Sequence, residues 1–357
     1  MTKIAQITPS RVVIGVDTHK DVHVAVALDD LGRRLDSTTI ATTTAGYRAL
    51  VAWGDALGTV EAFAVEGTGS YGAGLARHLR ASDRHVVEVL RPNRQARRRN
   101  GKSDPVDAEA AARAVLSGEA TGSPKSGDDL VEMIRVLRVA RSTARKARTQ
   151  AMNALKSLLV TAPSDLREQL RGLSNTQLVA TAGRLRSGRE TTTTAANKTA
   201  LRALACRYQA LDAEISALDA QLAELAAEVA PKLVETFGVG PDTAGALLVA
   251  AGDNPERLRS EAAFSMLCGA SPVEASSGKT VRHRLNRGGD RQANAALYRI
   301  VLVRMRFHTP TRAYVERRTA QGLSKPEIIR CLKRYVAREV YGILHDTIAP
   351  ASAIAAA

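Results

Sequence analysis

Val12-Val13-Ile14-Gly15-Val16-Asp17, followed by Val22, Val24, Val26 and Leu28, is the stretch whose reading decides the fold of this chain. Its first five residues form a continuous apolar run, as a strand buried on both faces requires, and the run stops at an acid. The next four apolar residues recur at every second position, the period of a second strand close behind the first. Gly32 restarts a third extended segment, Arg33 to Thr42, so the opening is a three-stranded meander. Outward from it, the pattern predicts a helix over Ala45 to Leu57, a strand over Ala62 to Glu66, a helix over Tyr71 to Ser82 and a strand over His85 to Leu90.

An antiparallel meander followed by alternating helix and strand is the ribonuclease-H-like order rather than a pure βαβ sheet, and it assigns residues 11–118 to one α/β domain. Glu119 to Asp128 (EATGSPKSGD) is small, polar and contains Pro and Gly, as a linker does. Beyond it the chain turns all-α. A long helix is expected from Leu130 to about Leu159 and a loop from Ser187 to Thr199. Leu204, Tyr208, Leu211, Ile215, Leu218, Leu222, Leu225 and Val229 then fall at alternating spacings of 4 and 3, the heptad seam of a coiled coil. One seam needs a partner, either the Leu130 helix or another protomer, so residues 129–236 read as a helical coiled-coil region. Pro231 interrupts the pattern. A compact helical domain is expected over 237–346, with a disordered tail over 347–357.

The chain has 357 residues, 45% hydrophobic and 24% charged, enough for two or three domains with real cores, which excludes disordered, collagen-like and mucin-like classes. Lys and Arg number 51 against 36 acids, for a net charge of +15. Between Lys279 and Arg338 there are 16 Lys/Arg and three acids, so the excess is concentrated there. Such a block suits a polyanion such as nucleic acid, with a solubilising surface as the plainer alternative. Cys206, Cys268 and Cys331 are far apart, which argues against a disulfide framework or a cysteine-ligated zinc site. No stretch approaches 18 uninterrupted apolar residues and the first ten lack a signal-peptide core, so the expected home is a reducing cytoplasm with no membrane partner.

Four acids stand where such a sheet brings strand ends and helix starts together. Asp17 ends the first strand, Glu66 ends the fourth, and Asp104 and Asp107 open a later helix, three positions apart and so on one face. This cluster is too repulsive to stay ionised unless hard divalent cations neutralise it. Two Mg²⁺ ions about 4 Å apart would polarise a phosphodiester and steady its entering and leaving oxygens. Each acid also has a plainer role: Asp104 suits the N-cap of a helix begun by Ser103-Asp104-Pro105, and Asp17 suits a turn. A rival site overlaps them. Gly67-Thr-Gly-Ser-Tyr-Gly72 matches the dinucleotide fingerprint, with Glu88 16 residues on, but it follows a meander rather than the first strand of a parallel unit. Gly101-Lys102-Ser103 lacks the first glycine of a P-loop, since Ala96 stands in its place.

Basic residues cluster beside these motifs. Arg91, Arg94, Arg97, Arg98, Arg99 and Lys102 form an acid-free run before Asp104, a candidate phosphate-binding lip. Arg135, Arg138, Arg141, Arg145 and Arg148 recur at 3, 3, 4 and 3 along one helix face with only Glu132 near, which suits contacts to a duplex backbone. Aromatics are 3% of the chain, so stacking on single-stranded bases is not expected to dominate. Gly238 to Gly245 reads either as a hairpin offering backbone N–H groups to a phosphate or as a plain helix corner. Finally, Pro272-Val-Glu-Ala-Ser276-Ser277-Gly278-Lys279 runs into Arg282, His283, Arg284 and Arg287, then Arg291. Guanidinium groups there would stabilise charge on a phosphorus attacked by a serine hydroxyl, although Ser-Ser-Gly is by itself a turn.

Five of these segments, in order, resemble the DEDD-type insertion-sequence transposases, the bridge-RNA-guided serine recombinases. They are Gly15-Val-Asp17-Thr-His-Lys20, Val65-Glu66-Gly-Thr-Gly-Ser-Tyr71, Lys102-Ser-Asp104-Pro-Val-Asp107-Ala, Gly269-Ala-Ser-Pro272 through Ser277-Gly278, and Arg287-Gly-Gly-Asp-Arg291. The resemblance runs from about Arg11 to His345 and implies a RuvC-like domain, a coiled coil and a helical transposase domain. It implies that Asp17, Glu66, Asp104 and Asp107 bind the metal and that Ser277, with Ser276 beside it, is the nucleophile. A structured guide RNA pairing with donor and target DNA, a homo-tetramer in which one protomer's metal site completes another's serine site, and a place at the bacterial nucleoid are implied with them. The expected chemistry is serine attack on a phosphodiester to give a phosphoserine, resealed without ATP because the ester is kept. The alternatives are a structure-selective nuclease using the four acids alone, and a non-catalytic nucleic-acid scaffold.

Overall fold

The computed structural model describes residues 11–89, 103–127, 129–188, 192–252, 254, 258–280 and 283–348. They divide into two compact units: residues up to Asp129 with Ala251–Ala263, and Leu130–Ala250 with Phe264–Thr347. The tail beyond Ile348 lies outside the described residues.

In the first unit β1 (Arg11–Thr18), β2 (Val22–Asp29) and β3 (Arg34–Ala41) form the meander, and α1 (Thr44–Leu57), β4 (Thr59–Glu66), α2 (Ala73–Ala81), β5 (Val86–Val89) and α3 (Asp104–Leu116) follow. The sheet order is β3-β2-β1-β4-β5, with β2 antiparallel to both its neighbours and β4 parallel to β1 and β5. This is the mixed ribonuclease-H-like arrangement that the opening residues predict. Alternate residues of β1 serve opposite cores, Val12, Ile14 and Val16 packing with Leu50, Phe63 and Leu75, and Val13 with Leu28, Ala108 and Ala112. That double duty is why the strand reads as one apolar run. Asp29 closes the β2–β3 turn by accepting from the backbone N–H groups of Leu31 (3.0 Å) and Arg33 (2.7 Å).

The segment read as a linker is laid against this unit. Glu88 N–H donates to Gly122 O (2.7 Å), Arg259 Nη2 to Thr121 O (2.7 Å) and Asn254 Nδ2 to Pro124 O (3.1 Å). The edge strand β5 offers open backbone groups, and the segment takes them.

The second unit begins with α4 (Leu130–Val160), α5 (Ser164–Leu170), α6 (Asn175–Gly183) and α7 (Thr193–Val229). Ion pairs join Arg141 to Asp219 and Arg148 to Asp212. Seven residues forward on α4 thus match seven residues back on α7, so the two helices run antiparallel with a heptad step. The helix that carries the seam thus lies along α4 of the same chain. Ile215 and Leu222 are its most buried members. The predicted loop over Ser187 to Thr199 is shorter than expected, because Thr192 caps α7 by accepting from Ala195 N–H (3.2 Å). Threonines that read as loop are the cap and first turn.

After α8 (Pro231–Glu235), α9 (Pro241–Ala251) and α10 (Glu261–Leu267) comes a departure from the all-α expectation, a hairpin of β6 (Val273–Glu274) and β7 (His283–Arg284). α11 (Arg291–Phe307), α12 (Thr309–Ala320) and α13 (Lys325–Ile348) complete the unit. Among the described residues no helix is long and apolar enough to cross a membrane.

Candidate active site

The parallel register of β1 and β4 pairs Val16 with Val65, so Asp17 and Glu66 are the next residues at the same end of the sheet. Thr18 Oγ1 donates to Glu66 O (2.9 Å) and ties the two strand ends. Gly15 decides what lies over them. A Cβ at that position would stand 1.9 Å from Ala108 O and 2.7 Å from Ala112 N, so only glycine lets α3 press its backbone onto β1. The first turn of α3 is thereby set above the strand ends. Asp107 is buried there, against the charge of Asp17.

Asp104 is not the helix cap that its sequence context allows. Ser103 takes the cap position, with extended backbone and no capping side-chain bond, which leaves the Asp104 carboxylate half exposed and turned to His19. His19 Nε2 stands 3.2 Å from Asp17 Oδ2 and 3.4 Å from Asp104 Oδ2. Ligand atoms of Asp17, His19 and Asp104 all lie within 4.8 Å of one another, the one such group among the described residues. Sequence reasoning passed over His19, although it follows Asp17 by two positions and so shares its side of the extended chain. Asp107 faces Asp17 closely enough to raise its carboxyl, and Glu66 follows Val65 at the end of β4; neither belongs to the trio. Burial pushes the Asp17 carboxyl above its usual range, His19 pulls it down, and Asp107 and Asp104 push it further up. Two or three crowded carboxylates with one imidazole form a donor set that suits a hard or borderline divalent cation.

Ser277 lies in the second unit, exposed at the tip of the β6–β7 hairpin. Ser277 and Thr280 exchange both backbone hydrogen bonds at 3.1 Å, and Gly278 has φ +57, the positive value a two-residue hairpin turn requires at its first position. The base is pinned while residues 274–280 are exposed. Asp290 N–H donates to Leu267 O (2.6 Å), Asn286 Nδ2 to Met266 O (3.0 Å) and Asn294 Nδ2 to Cys268 O (2.8 Å). A Cβ on Gly289 would come 2.3 Å from Gly269 N, so the Arg287-Gly-Gly-Asp-Arg291 loop can seat only as glycine. Lys279, Arg284, Arg287 and Arg291 are exposed about the hairpin.

The arginines of α4 are placed differently from the unopposed face that their spacing suggests. Arg138 and Arg141 are about one-eighth exposed and meet Asp242 at 3.4 and 3.2 Å, while Arg299 reaches its other oxygen at 2.7 Å. Burial pushes the Asp242 carboxyl up, and the three guanidinium groups overcome it and hold the group below its usual range. Arg148 is taken by Asp212 and lies over the Tyr208 ring. Arg145 is exposed. Asp242 sits in the first turn of α9, so the Gly238 to Gly245 segment supplies its own anion and is a helix corner. Arg94, Arg97, Arg98, Arg99, Lys102 and Arg282 lie outside the described residues.

Two family profiles match the chain. One, described as a transposase of the DEDD-type IS110 group, covers residues 14–162, and the other, described as the transposase IS116/IS110/IS902 family, covers residues 230–316. The chain belongs to the IS110 family of insertion-sequence transposases. A 43.6 kDa protein of insertion element IS110 from Streptomyces coelicolor is 29% identical over 118 residues, 33% of this chain and 29% of that protein. The chain therefore aligns with less than a third of that relative's length. The first IS110 profile encloses Asp17, Glu66, Asp104 and Asp107, and the second encloses Ser277. The rival dinucleotide fingerprint is otherwise engaged, since Thr68 Oγ1 within it donates to Glu88 Oε1 at 2.5 Å.

Proposed function

We propose that this IS110-family chain cuts and rejoins DNA to excise and insert its own element. Residues 11–118 would form the catalytic domain, the α4–α7 pair within 129–236 the family's coiled coil, and 237–346 the domain bearing the nucleophile. The observation that carries the reading is the gathering of Asp17, His19 and Asp104, with Asp107 against Asp17, at one end of the sheet in a strongly basic chain.

Asp17, Glu66, Asp104 and Asp107 would hold Mg²⁺, two ions being the number that four carboxylates can serve. When bound, the metal supplies Lewis-acid polarisation of the scissile phosphodiester. Ser277 supplies the oxygen that attacks phosphorus. One P–O bond forms as another breaks, and the departing strand end leaves as an alcohol with a proton in place of the one the serine gives up. The ester count is unchanged, so attack by a new strand end reseals the DNA and frees the serine. Exposed cations at Lys279, Arg284, Arg287 and Arg291 would offset phosphate charge around the hairpin. Choice of donor and target by a structured guide RNA, assembly as a tetramer, and action at the nucleoid of a bacterial cytoplasm belong to the same proposal.

The test is incubation of protein, Mg²⁺, DNA and the element's RNA, followed by denaturation. A protein–DNA adduct lost in Ser277→Ala and kept in Ser276→Ala is the expected result. Cleavage with free ends and no adduct would replace it with metal-assisted hydrolysis by the acids alone, and binding without cleavage would replace it with a scaffold.

A further inference from the structure

The chemistry assigned to the four acids makes no use of His19, yet the fold holds this residue in place with several bonds. It opens the turn between β1 and β2. Its backbone N–H donates to Val22 O (3.2 Å) and stands 3.3 Å from Nδ1 of His23, a fully buried ring stacked on Tyr47 with centroids 5.9 Å apart. From beyond the end of β3, Thr42 reaches back to the same turn. Its Oγ1 donates to Lys20 O (3.0 Å) and its N–H to Asp21 O (3.1 Å). A turn gripped on both sides sets the direction of the side chain at its head.

The His19 side chain is 44% exposed, but unevenly. Its Nε2 is buried, and among the described residues no hydrogen bond of regular geometry ends on that atom. What faces it is one oxygen of Asp17 at 3.2 Å and one of Asp104 at 3.4 Å. A ring N–H points along a single line and serves one of these oxygens well, not both. A cation at their common centre serves all three donor atoms, which lie within 4.8 Å of one another. The spacing agrees. Neighbouring ligands of an octahedral ion bound at about 2.1 Å stand about 3 Å apart, and those of a tetrahedral ion about 3.4 Å.

The imidazole also narrows the choice of ion. Mg²⁺ takes oxygen ligands and gives up its water reluctantly, so carboxylates alone suit it. An imidazole nitrogen is a softer donor that favours first-row transition ions. Among these, Mn²⁺ keeps the affinity for carboxylate oxygen that the other two donors require.

We propose that His19 Nε2 is a ligand of the metal that Asp17 and Asp104 hold, and that this subsite takes Mn²⁺ in preference to Mg²⁺. The inference rests on the reading of the acids at the end of the sheet as a metal site. To that reading it adds a nitrogen ligand outside the four acids and a cation preference that the acids alone do not supply.

Two measurements on the full chain, without DNA, test it. Pulsed electron paramagnetic resonance of the wild type loaded with MnCl₂ is expected to show the echo modulation of a directly bound imidazole nitrogen, and His19→Ala is expected to lose it. Calorimetric titration with MnCl₂ and MgCl₂ should find Mn²⁺ bound about tenfold more tightly than Mg²⁺ by the wild type. His19→Ala should weaken Mn²⁺ about tenfold and Mg²⁺ less than about twofold, so that the preference disappears. No nitrogen modulation in the wild type overturns the proposal without recourse to any variant. Modulation that persists in His19→Ala, or an equal loss of both ions, overturns it as well. Asp17→Asn separates the two readings. Mn²⁺ that needs Asp17 but shows no nitrogen coupling sinks the His19 ligand alone, whereas Mn²⁺ bound equally well by Asp17→Asn sinks the metal site itself.

Discussion

Asp104 shows how one side chain's role depends on its neighbour's backbone. Ser103-Asp104-Pro105 is written like a capped helix start, yet the cap falls on Ser103 and the acid is left to face His19. Asp104→Asn should abolish strand breakage while DNA retention persists, as read by a cleavage gel beside a filter-binding assay; undiminished breakage would remove Asp104 from the site. At this scale the acids were legible, because strand-terminal and helix-initial carboxylates follow from local pattern. His19 was not singled out, since a histidine after a strand is an ordinary turn residue until a helix distant in sequence brings a second carboxylate to its ring.

Elements meet here through single residues that permit or bind the contact. Gly15 lets α3 touch β1, and Gly15→Ala should force the helix outward. The expected cost is about 1–3 kcal/mol, read from the urea midpoint. Calorimetry should also show about tenfold weaker Mg²⁺ binding, because Asp104 and Asp107 move with the helix. Asp242 binds α4, α9 and α11, and Asp242→Asn should cost about 3 kcal/mol near neutral pH by leaving three guanidinium groups without their anion. Its folded pKa lies below the unfolded value near 4, so the contribution is whole above about pH 4 and fades as the pH falls through the folded value. Stability curves of the wild type and the variant should converge on the acid side. The long strands and helices were readable because apolar periodicity is a local signal. The β6–β7 hairpin was not, since strands of two residues carry no period.

For the whole molecule the net charge of +15 is a poor guide to how much of it meets nucleic acid. Arg138 and Arg141 are spent on internal pairs, so Arg138→Gln with Arg141→Gln should lower the melting temperature and leave the salt dependence of DNA binding unchanged. Lys279→Gln, Arg287→Gln and Arg291→Gln together should reduce the slope of log affinity against log salt by about 0.9 per residue. A reversed pattern would return the α4 face to the nucleic-acid surface. The sequence by itself determined the succession of strands and helices, the long helices and the stock of acids and cations, because those are written in spacings of a few residues. Tertiary structure decided which charges are consumed inside: the acids that claim Arg148, Arg141 and Arg138 lie 64, 78 and 104 positions away. Coulombic pairing depends on distance in space, and no local pattern records which remote segment will fold back to supply it.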